Sequence, residues 1–417
     1  MSSILSFSML LVEGIMFSAI SFGAYKKFWN PVLLCCSMII FASFLTFFNK
    51  EISPAKSEEG LLWIGIGSFL FVLSFFLAQG WRQNTSSRQE EMVYRKSFLS
   101  FLMLVCVILS IVSMLINLKI VVEIAGDFSM IFLKSTRVRN EYLERGEGGG
   151  LLTFITLFAN INFYCLYCLF PQAIKRHCRF VILELLIVLL VRLFASIITM
   201  SKEAFIIDLL VLISAYSCSF NGWRDELKFA KKYMLIFALL FIALIVVIGF
   251  QRNYMDSIDG GPFEVVVKTL REYIGVSFQA FCSLISYPSR DFGGEQCFRP
   301  IINILSRFGL ADRVSIFQDS IAGGDTNVFS IFGNMYNDFG FWGILFLSVF
   351  FGLFLGGIYY PYKTNSIGRM VCNSMVLMTM FFVFYDLKIM QTIYLFIIFY
   401  SFILENILKS ALYVRKT

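Results

Sequence analysis

Eleven apolar stretches of this chain are each long enough to cross a lipid bilayer as a helix. A spanning helix needs about 20 mostly apolar residues, because the hydrocarbon core has no water to satisfy the backbone. The stretches cover residues 4–24, 31–48, 61–80, 98–118, 151–171, 180–200, 204–220, 233–250, 339–360, 370–386 and 389–408. They predict an all-α polytopic membrane protein with about eleven transmembrane helices, within a range of ten to twelve.

The composition agrees with a chain embedded in a membrane. Of the 417 residues, 58% are hydrophobic and 15% are charged, whereas soluble domains have about 25% charged residues. No repeat or low-complexity linker divides the sequence, so we expect a single membrane-embedded domain over residues 1–417. The net charge of +7 is explained by loops that face anionic lipid, and it does not indicate a nucleic-acid partner.

Basic residues predict the orientation, since Lys and Arg accumulate in short cytoplasmic loops. Every second connection carries a group of them, from Lys26 and Lys27 after the first stretch to Lys409, Arg415 and Lys416 near the end. The short loops between these connections are poorer in Lys and Arg. This alternation places the N-terminus on the outer face and the C-terminus in the cytoplasm.

Two connections on the predicted outer face are long, residues 119–150 and 251–338. Because polar backbone cannot lie against lipid, we expect both loops to fold over the outer ends of the helices and to contain short helices. The first loop is typical of an amphipathic interfacial helix that ends at the glycines of residues 146–150.

Arginines in these loops are candidate ligands for phosphate. Arg137, Arg139 and Arg313 are each followed by a glycine eleven residues later. A guanidinium binds phosphate oxygens through parallel N–H groups and stays charged when partly buried. The alternative interpretation is a solvated basic face that pairs with nearby acids or with lipid headgroups. The further basic candidates are Arg252, Arg271 and Arg290 in the second loop and Lys202 at the outer junction of two predicted spans.

Charged residues inside predicted spans are costly, and they usually mark ion pairs or a polar cavity. Among the charged residues within the spans are Glu13, Glu184, Arg192, Asp208 and Glu405. Arg192 is a candidate partner for Glu184 or for Asp208. The sequence leaves open whether Arg192 belongs to a structural ion pair or lines a functional site.

Metal ligands are sparse on the predicted outer face. The single histidine, His177, lies in a predicted cytoplasmic loop, and no Asp-x-Asp sequence occurs. We therefore expect chemistry that uses neither a metal nor another cofactor. Cys282 and Cys297 both lie in the second loop, and a disulfide between them and two separate thiols are both open.

One segment carries a family resemblance. Residues 326–343, read as TNVFSIFGNMYNDFGFWG, resemble the start of a late span in O-antigen polymerases of the Wzy type, with an Asn-Val-Phe-Ser turn and an Asp-Phe-Gly-x-x-Gly sequence. The arginine–glycine loop before a span and Arg271-Glu-Tyr-Ile-Gly are also similar. Where that family often has Gly-Ser-Arg, this chain has Met200-Ser201-Lys202. The lysine keeps the positive charge but lacks the planar guanidinium group of arginine. The similarity extends over most of the chain through loose patterns and topology.

The resemblance implies glycosyl transfer at the periplasmic face of a bacterial inner membrane, with a periplasmic N-terminus. The donor would be a glycan on undecaprenyl pyrophosphate, and a hydroxyl of a second lipid-linked repeat unit would attack its anomeric carbon. Asp338 would act as general base, unless it is a plain helix cap. A chain-length regulator is a candidate partner. The cations that would stabilise the departing pyrophosphate are Arg137, Arg139, Arg313, Lys202, Arg252, Arg271 and Arg290.

Three other functions compete with polymerisation. An O-antigen ligase usually employs an outer-loop histidine, which this chain lacks. A repeat-unit flippase would have mostly short loops. A non-enzymatic transporter stays open. The phenotype of a null strain separates them, because loss of a polymerase leaves lipopolysaccharide with one repeat unit, whereas loss of a ligase or flippase leaves none.

Overall fold

The structure is a computed structural model that describes most of the chain, with gaps. The described residues are 2–47, 54–82, 92–94, 96–133, 138, 141–142, 151–175, 178–199, 202–220, 222–229, 274–285, 293–306, 308–312, 314, 329–362, 364 and 366–415.

The described residues are almost entirely helical. The helices of the first half are α1 (Ser2–Tyr25), α2 (Pro31–Phe47), α3 (Pro54–Arg82), α4 (Lys96–Ala125), α5 (Met130–Leu133), α6 (Leu151–Tyr167), α7 (Phe170–Lys175), α8 (Arg179–Ile198), α9 (Lys202–Ser217) and α10 (Trp223–Phe229). The helices of the second half are α11 (Val276–Leu284), α12 (Arg299–Ser306), α13 (Ser330–Ile358), α14 (Ile367–Phe381) and α15 (Thr392–Leu412). Two 3₁₀ turns, Phe382–Phe384 and Lys388–Met390, lie between α14 and α15.

A short strand pair is the exception to the helical structure. The strands β1 (Met92–Tyr94) and β2 (Tyr413–Arg415) pair antiparallel, with Val93 opposite Val414. The pair joins the segment before α4 to the residues after α15.

Within the described ranges, six helices are long and apolar enough to cross a membrane. They are α1, α3, α4, α8, α13, and α14 with the turn that follows it. The shorter apolar helices α2, α6, α9 and α15 coincide with four more of the predicted spans. The predicted span 233–250 lies outside the described residues. A largely helical structure of the described residues, with several helices able to span a membrane, is therefore confirmed, whereas the count of eleven stays a prediction.

Several helices extend beyond the predicted spans, among them α4 and α13. α4 continues to Ala125, past the predicted end at residue 118. α13 begins at Ser330 rather than at residue 339, and its first residues, which include Asn334, Asn337 and Asp338, are buried. Hydropathy measures the transfer of side chains into lipid. A span predicted from it therefore leaves out polar residues that pack against protein.

The chain divides into two compact units. Unit 1 comprises Met1–Arg88, Leu270–Pro361 and Met375–Leu395, and unit 2 comprises Gln89–Thr269, Tyr362–Ser374 and Phe396–Thr417. In unit 1, α13 packs closely against α3. A Cβ at Gly352 or Gly356 would overlap the carbonyl oxygen of Phe71 or Phe75, so these two glycines allow the close approach of the helices, as small residues do in membrane helix pairs.

In unit 2, α4 packs against α8 and α6. An apolar cluster at the C-terminal end of α4 contains Val121, Ile124 and Ala125 and also includes Ile198, at the end of α8. Val138, from the segment predicted as the first outer loop, is buried in the same cluster. The cluster therefore anchors part of that segment over the ends of α4 and α8.

Candidate functional site

Unit 2 contains a cavity of about 230 Å³ among α4, α6, α8 and α9. Ser110, Ser113 and Asn117 line it from α4, and Thr156 and Asn160 line it from α6. Spacings of three and four residues place these side chains on one face of each helix. The remainder of both helices is largely apolar, so the helices turn their polar stripes toward each other.

A buried ion pair forms part of the cavity lining. Arg192 Nε donates to Asp208 Oδ2 at 2.6 Å, and Nη2 donates to Oδ1 at 2.7 Å. Their side chains are 12% and 1% exposed. Of the two partners considered for Arg192, Asp208 is therefore the one it binds. Glu184 instead accepts a hydrogen bond from Ser100 at 3.0 Å.

Further contacts hold the ion pair in place. Arg192 Nη1 donates to Asn160 Oδ1 at 2.6 Å, and the Tyr164 side chain hydrogen-bonds Asp208. The Phe163 ring centroid lies 4.1 Å from the guanidinium carbon, within the range of a cation–π contact. A buried pair is stable only when such hydrogen bonds satisfy its remaining atoms, and this pair meets that condition while it borders the cavity.

One wall of the cavity comes from the segment predicted as the first outer loop. Tyr142 lines the cavity, and its hydroxyl donates to Asn117 Oδ1 at 2.9 Å. Burial raises the pKa of Tyr142, so the phenol stays a neutral donor near pH 7. Ser113 and Thr156 are joined across the cavity wall by a 3.2 Å hydrogen bond.

Asp338, the candidate base, lies in unit 1 at a break in α13. The helix geometry fails directly after it, at Phe339 and at Gly340, which has φ 62°. Asp338 Oδ1 accepts a hydrogen bond from Gln296 N at 3.1 Å, and Oδ2 accepts one from Cys297 N at 2.8 Å. In this structure the carboxylate anchors the segment that precedes α12. Whether it also acts as a base stays a prediction.

A second polar cluster in unit 1 surrounds Asp386. Its carboxylate accepts hydrogen bonds from Asn334 at 2.8 Å and from Gln391 at 3.1 Å. Lys388 Nζ lies 3.9 Å from it and is buried. Asn337 is also buried, and neither its amide nitrogen nor its amide oxygen has a hydrogen-bond partner among the described residues. Sequence reasoning missed this cluster, because its members come from separate elements with no motif spacing.

The two cysteines of the second loop are reduced and fully buried. Burial raises the pKa of the Cys282 thiol to about 12. Burial and the neighbouring Asp338 carboxylate raise the pKa of the Cys297 thiol well above its ordinary value. Both thiols are therefore protonated at neutral pH, and no disulfide joins them.

The predicted cations lie outside what the structure describes. This applies to Arg137, Arg139, Arg252, Arg271, Arg290 and Arg313. Lys202 is the first residue of α9, but its side chain is not described. Their proposed role therefore stays a prediction. Of the cavity lining, Arg192 and Asp208 were singled out from the sequence, whereas the polar residues of α4 and α6 were not, although their stripes were a visible signal.

Compared with family models, curated proteins and solved structures, the chain matches none of them. Its function is therefore argued from the residues and from the geometry of unit 2 and unit 1.

Proposed function

We propose that this chain polymerises lipid-linked oligosaccharide repeat units by glycosyl transfer, as its resemblance to O-antigen polymerases of the Wzy type implies. The observation that carries the proposal is the polar cavity of unit 2, which lies among apolar helices and is partly covered by Tyr142. A substrate with a glycan head and a polyprenyl tail needs a polar site next to a lipid-facing surface. Ile108 of α4, two residues before Ser110, is exposed and supplies such a surface.

The reaction joins two lipid-linked glycans. A hydroxyl of the acceptor repeat unit attacks the anomeric carbon of the donor glycan, and the bond from that carbon to the pyrophosphate oxygen breaks. Undecaprenyl pyrophosphate leaves with the bonding electrons, and the hydroxyl proton passes to a carboxylate, for which Asp338 is the candidate. The loop arginines and Lys202 stabilise the charge on the pyrophosphate, so the proposed mechanism needs no metal.

The decisive experiment is polymerisation in vitro by the purified protein. The substrate is the lipid-linked repeat unit extracted from cells that lack this protein, and the reaction is run with EDTA. We expect a ladder of products that differ by one repeat unit. Absence of a ladder from folded protein would exclude the polymerase, and a ladder that EDTA abolishes and one divalent ion restores would exclude the metal-free mechanism.

The proposed location is the bacterial inner membrane, with residues 251–338 on the periplasmic face. Single cysteines at Ser289 and Lys228 test this orientation. The described native cysteines are buried except for Cys178, which is partly exposed. The Cys178→Ala variant should therefore show little labelling of native cysteines. In intact spheroplasts an impermeant thiol reagent should label Ser289→Cys and not Lys228→Cys. The reverse pattern would invert the orientation.

Transport of lipid-linked oligosaccharide is the alternative that a specific observation favours. A buried pair such as Arg192 and Asp208 beside a polar cavity also suits a flippase or another transporter. A ligase would use the same substrate. The phenotype of a null strain distinguishes the polymerase from a flippase or a ligase, since loss of a polymerase leaves lipopolysaccharide with one repeat unit and loss of a flippase or ligase leaves none.

A further inference from the structure

We propose that the cavity of unit 2 binds one neutral, hydroxyl-bearing sugar ring of the lipid-linked glycan, and that the pyrophosphate binds elsewhere. This inference rests on the proposed function. It assigns to the cavity a part of the substrate that neither the loop arginines nor Asp338 would bind.

The charge of the described lining disfavours pyrophosphate as the ligand of the cavity. Arg192 and Asp208 are the charged residues of that lining, and they neutralise each other at 2.6 and 2.7 Å. A pyrophosphate placed there would bring additional negative charge next to the buried Asp208 carboxylate, without a second cation among the described lining residues. Two negative charges close together are strongly unfavourable in a buried site. A neutral ligand meets no such penalty.

The lining offers the hydrogen bonds that a sugar requires. Asn160 Oδ1 accepts from Arg192, and Asn117 Oδ1 accepts from Tyr142. In both residues the oxygen is thereby engaged, so the amide NH₂ remains to donate to a ligand. The Ser110 hydroxyl also lines the cavity and can donate to or accept from a ligand. These groups match the hydroxyl oxygens and protons of a sugar.

The volume limits the ligand to about one ring. Pockets for drug-sized ligands have about 300–1,000 Å³, whereas this cavity has about 230 Å³. A whole repeat unit does not fit, so the remaining sugars would lie outside the cavity. Arg192 acts here as a positioning residue, because it orients the Asn160 amide.

Protection from a thiol reagent tests the assignment. Thr156→Cys, in the Cys178→Ala background, places a thiol in the cavity wall of the purified full-length protein. Leu190→Cys, on the exposed face of α8, is the matched control. The two probes are the oligosaccharide released by mild acid from the lipid-linked repeat unit and a polyprenyl pyrophosphate without sugar.

We expect the oligosaccharide to slow labelling of Thr156→Cys at least several-fold and to leave Leu190→Cys unchanged, while the polyprenyl pyrophosphate protects neither. Protection by the polyprenyl pyrophosphate, or by neither probe, would overturn the assignment. The polymerisation assay keeps this result separate from the proposed function. A polymerising protein without oligosaccharide protection refutes only the sugar site, and protection without polymerisation refutes only the polymerase.

Kinetics provide a second measurement that does not depend on the cysteine variant. Asn117→Ala and Ser110→Ala each remove one hydrogen-bonding group from the proposed site. We expect KM for the lipid-linked repeat unit to rise about tenfold, which is the effect of a lost hydrogen bond of about 1.4 kcal/mol, with kcat little changed. Leu190→Ala should match the wild type. An unchanged KM in both cavity variants would contradict the assignment.

Discussion

The two units each bury one aspartate of an apolar helix, and they compensate its charge differently. Asp208 of unit 2 and Asp338 of unit 1 are 0% and 1% exposed. Asp208 is paired with Arg192 beside a cavity, whereas Asp338 accepts backbone N–H groups from Gln296 and Cys297. Burial of a carboxylate therefore does not by itself identify a functional site. Polar groups beside the Arg192–Asp208 pair face the cavity. The Asp338 carboxylate oxygens, in contrast, are occupied by two backbone N–H groups.

The largest effect should come from breaking the ion pair. Arg192→Leu leaves the Asp208 carboxylate buried without a counter-charge, which costs about 3–5 kcal/mol. We expect a much lower melting temperature in detergent and a low level in the membrane. The double variant Arg192→Met with Asp208→Leu should recover much of the stability, because an apolar pair of similar volume is often tolerated, but not the polymer ladder. A single variant as stable as the wild type would show that the pair does not hold unit 2 together.

A smaller effect, on rate rather than on stability, is expected for the loop arginines. Among its described lining residues, the Asp208 site holds no cation besides Arg192, so the proposed role falls to Arg137, Arg139 and Arg313. Each Arg→Ala change should lower polymerisation about 100-fold, which corresponds to a lost transition-state contact of about 3 kcal/mol. Each Arg→Lys change should be intermediate, since lysine keeps the charge without the fork.

The assay for the arginines is the lipopolysaccharide ladder of a null strain complemented with each variant, at membrane levels matched by immunoblot. A solvated basic face would contribute only about 0–1 kcal/mol. Full ladders from all three alanine variants would therefore remove these arginines from the site, and Arg252, Arg271 and Arg290 would be the next candidates.

Asp338 should show a moderate loss of stability. Asp338→Ala leaves the N–H groups of Gln296 and Cys297 without their acceptor, at a cost of about 1–3 kcal/mol. Asp338→Asn keeps one carbonyl acceptor and should be less destabilised, as measured by the melting temperature. The activity of the asparagine variant, at matched protein level, decides whether Asp338 is also the general base. A normal ladder would leave Asp338 as an anchor only, and no ladder would support the general base.

The smallest effect concerns the thiols of Cys282 and Cys297. Burial raises the pKa of Cys282 to about 12, above the value of about 8.5 for an unfolded chain. Its contribution to stability is therefore complete below about pH 8.5 and is lost as the pH rises towards 12. From pH 7 to 8 we expect no labelling of Cys282 or Cys297 in the native protein and no change of melting temperature with a reductant. A lower melting temperature after reduction would indicate a disulfide.

The sequence alone determined the class of structure, because a run of about 20 apolar residues has no stable form in lipid other than a helix. It also identified Arg192 as a residue whose positive charge needs a partner, since an isolated buried charge is too costly. It could not choose between Glu184, eight residues before Arg192, and Asp208, sixteen residues after it.

Tertiary structure decided the rest. The cavity needs side chains from α4, α6, α8 and α9 to meet, and the partners of Asp338 lie about forty residues away in sequence, at Gln296 and Cys297. No local pattern encodes such meetings, because hydrogen bonds between distant segments depend on how the helices pack. For the same reason α13 begins at Ser330. Its polar residues are unfavourable in lipid, but Asn334 and Asp338 find their partners inside the protein.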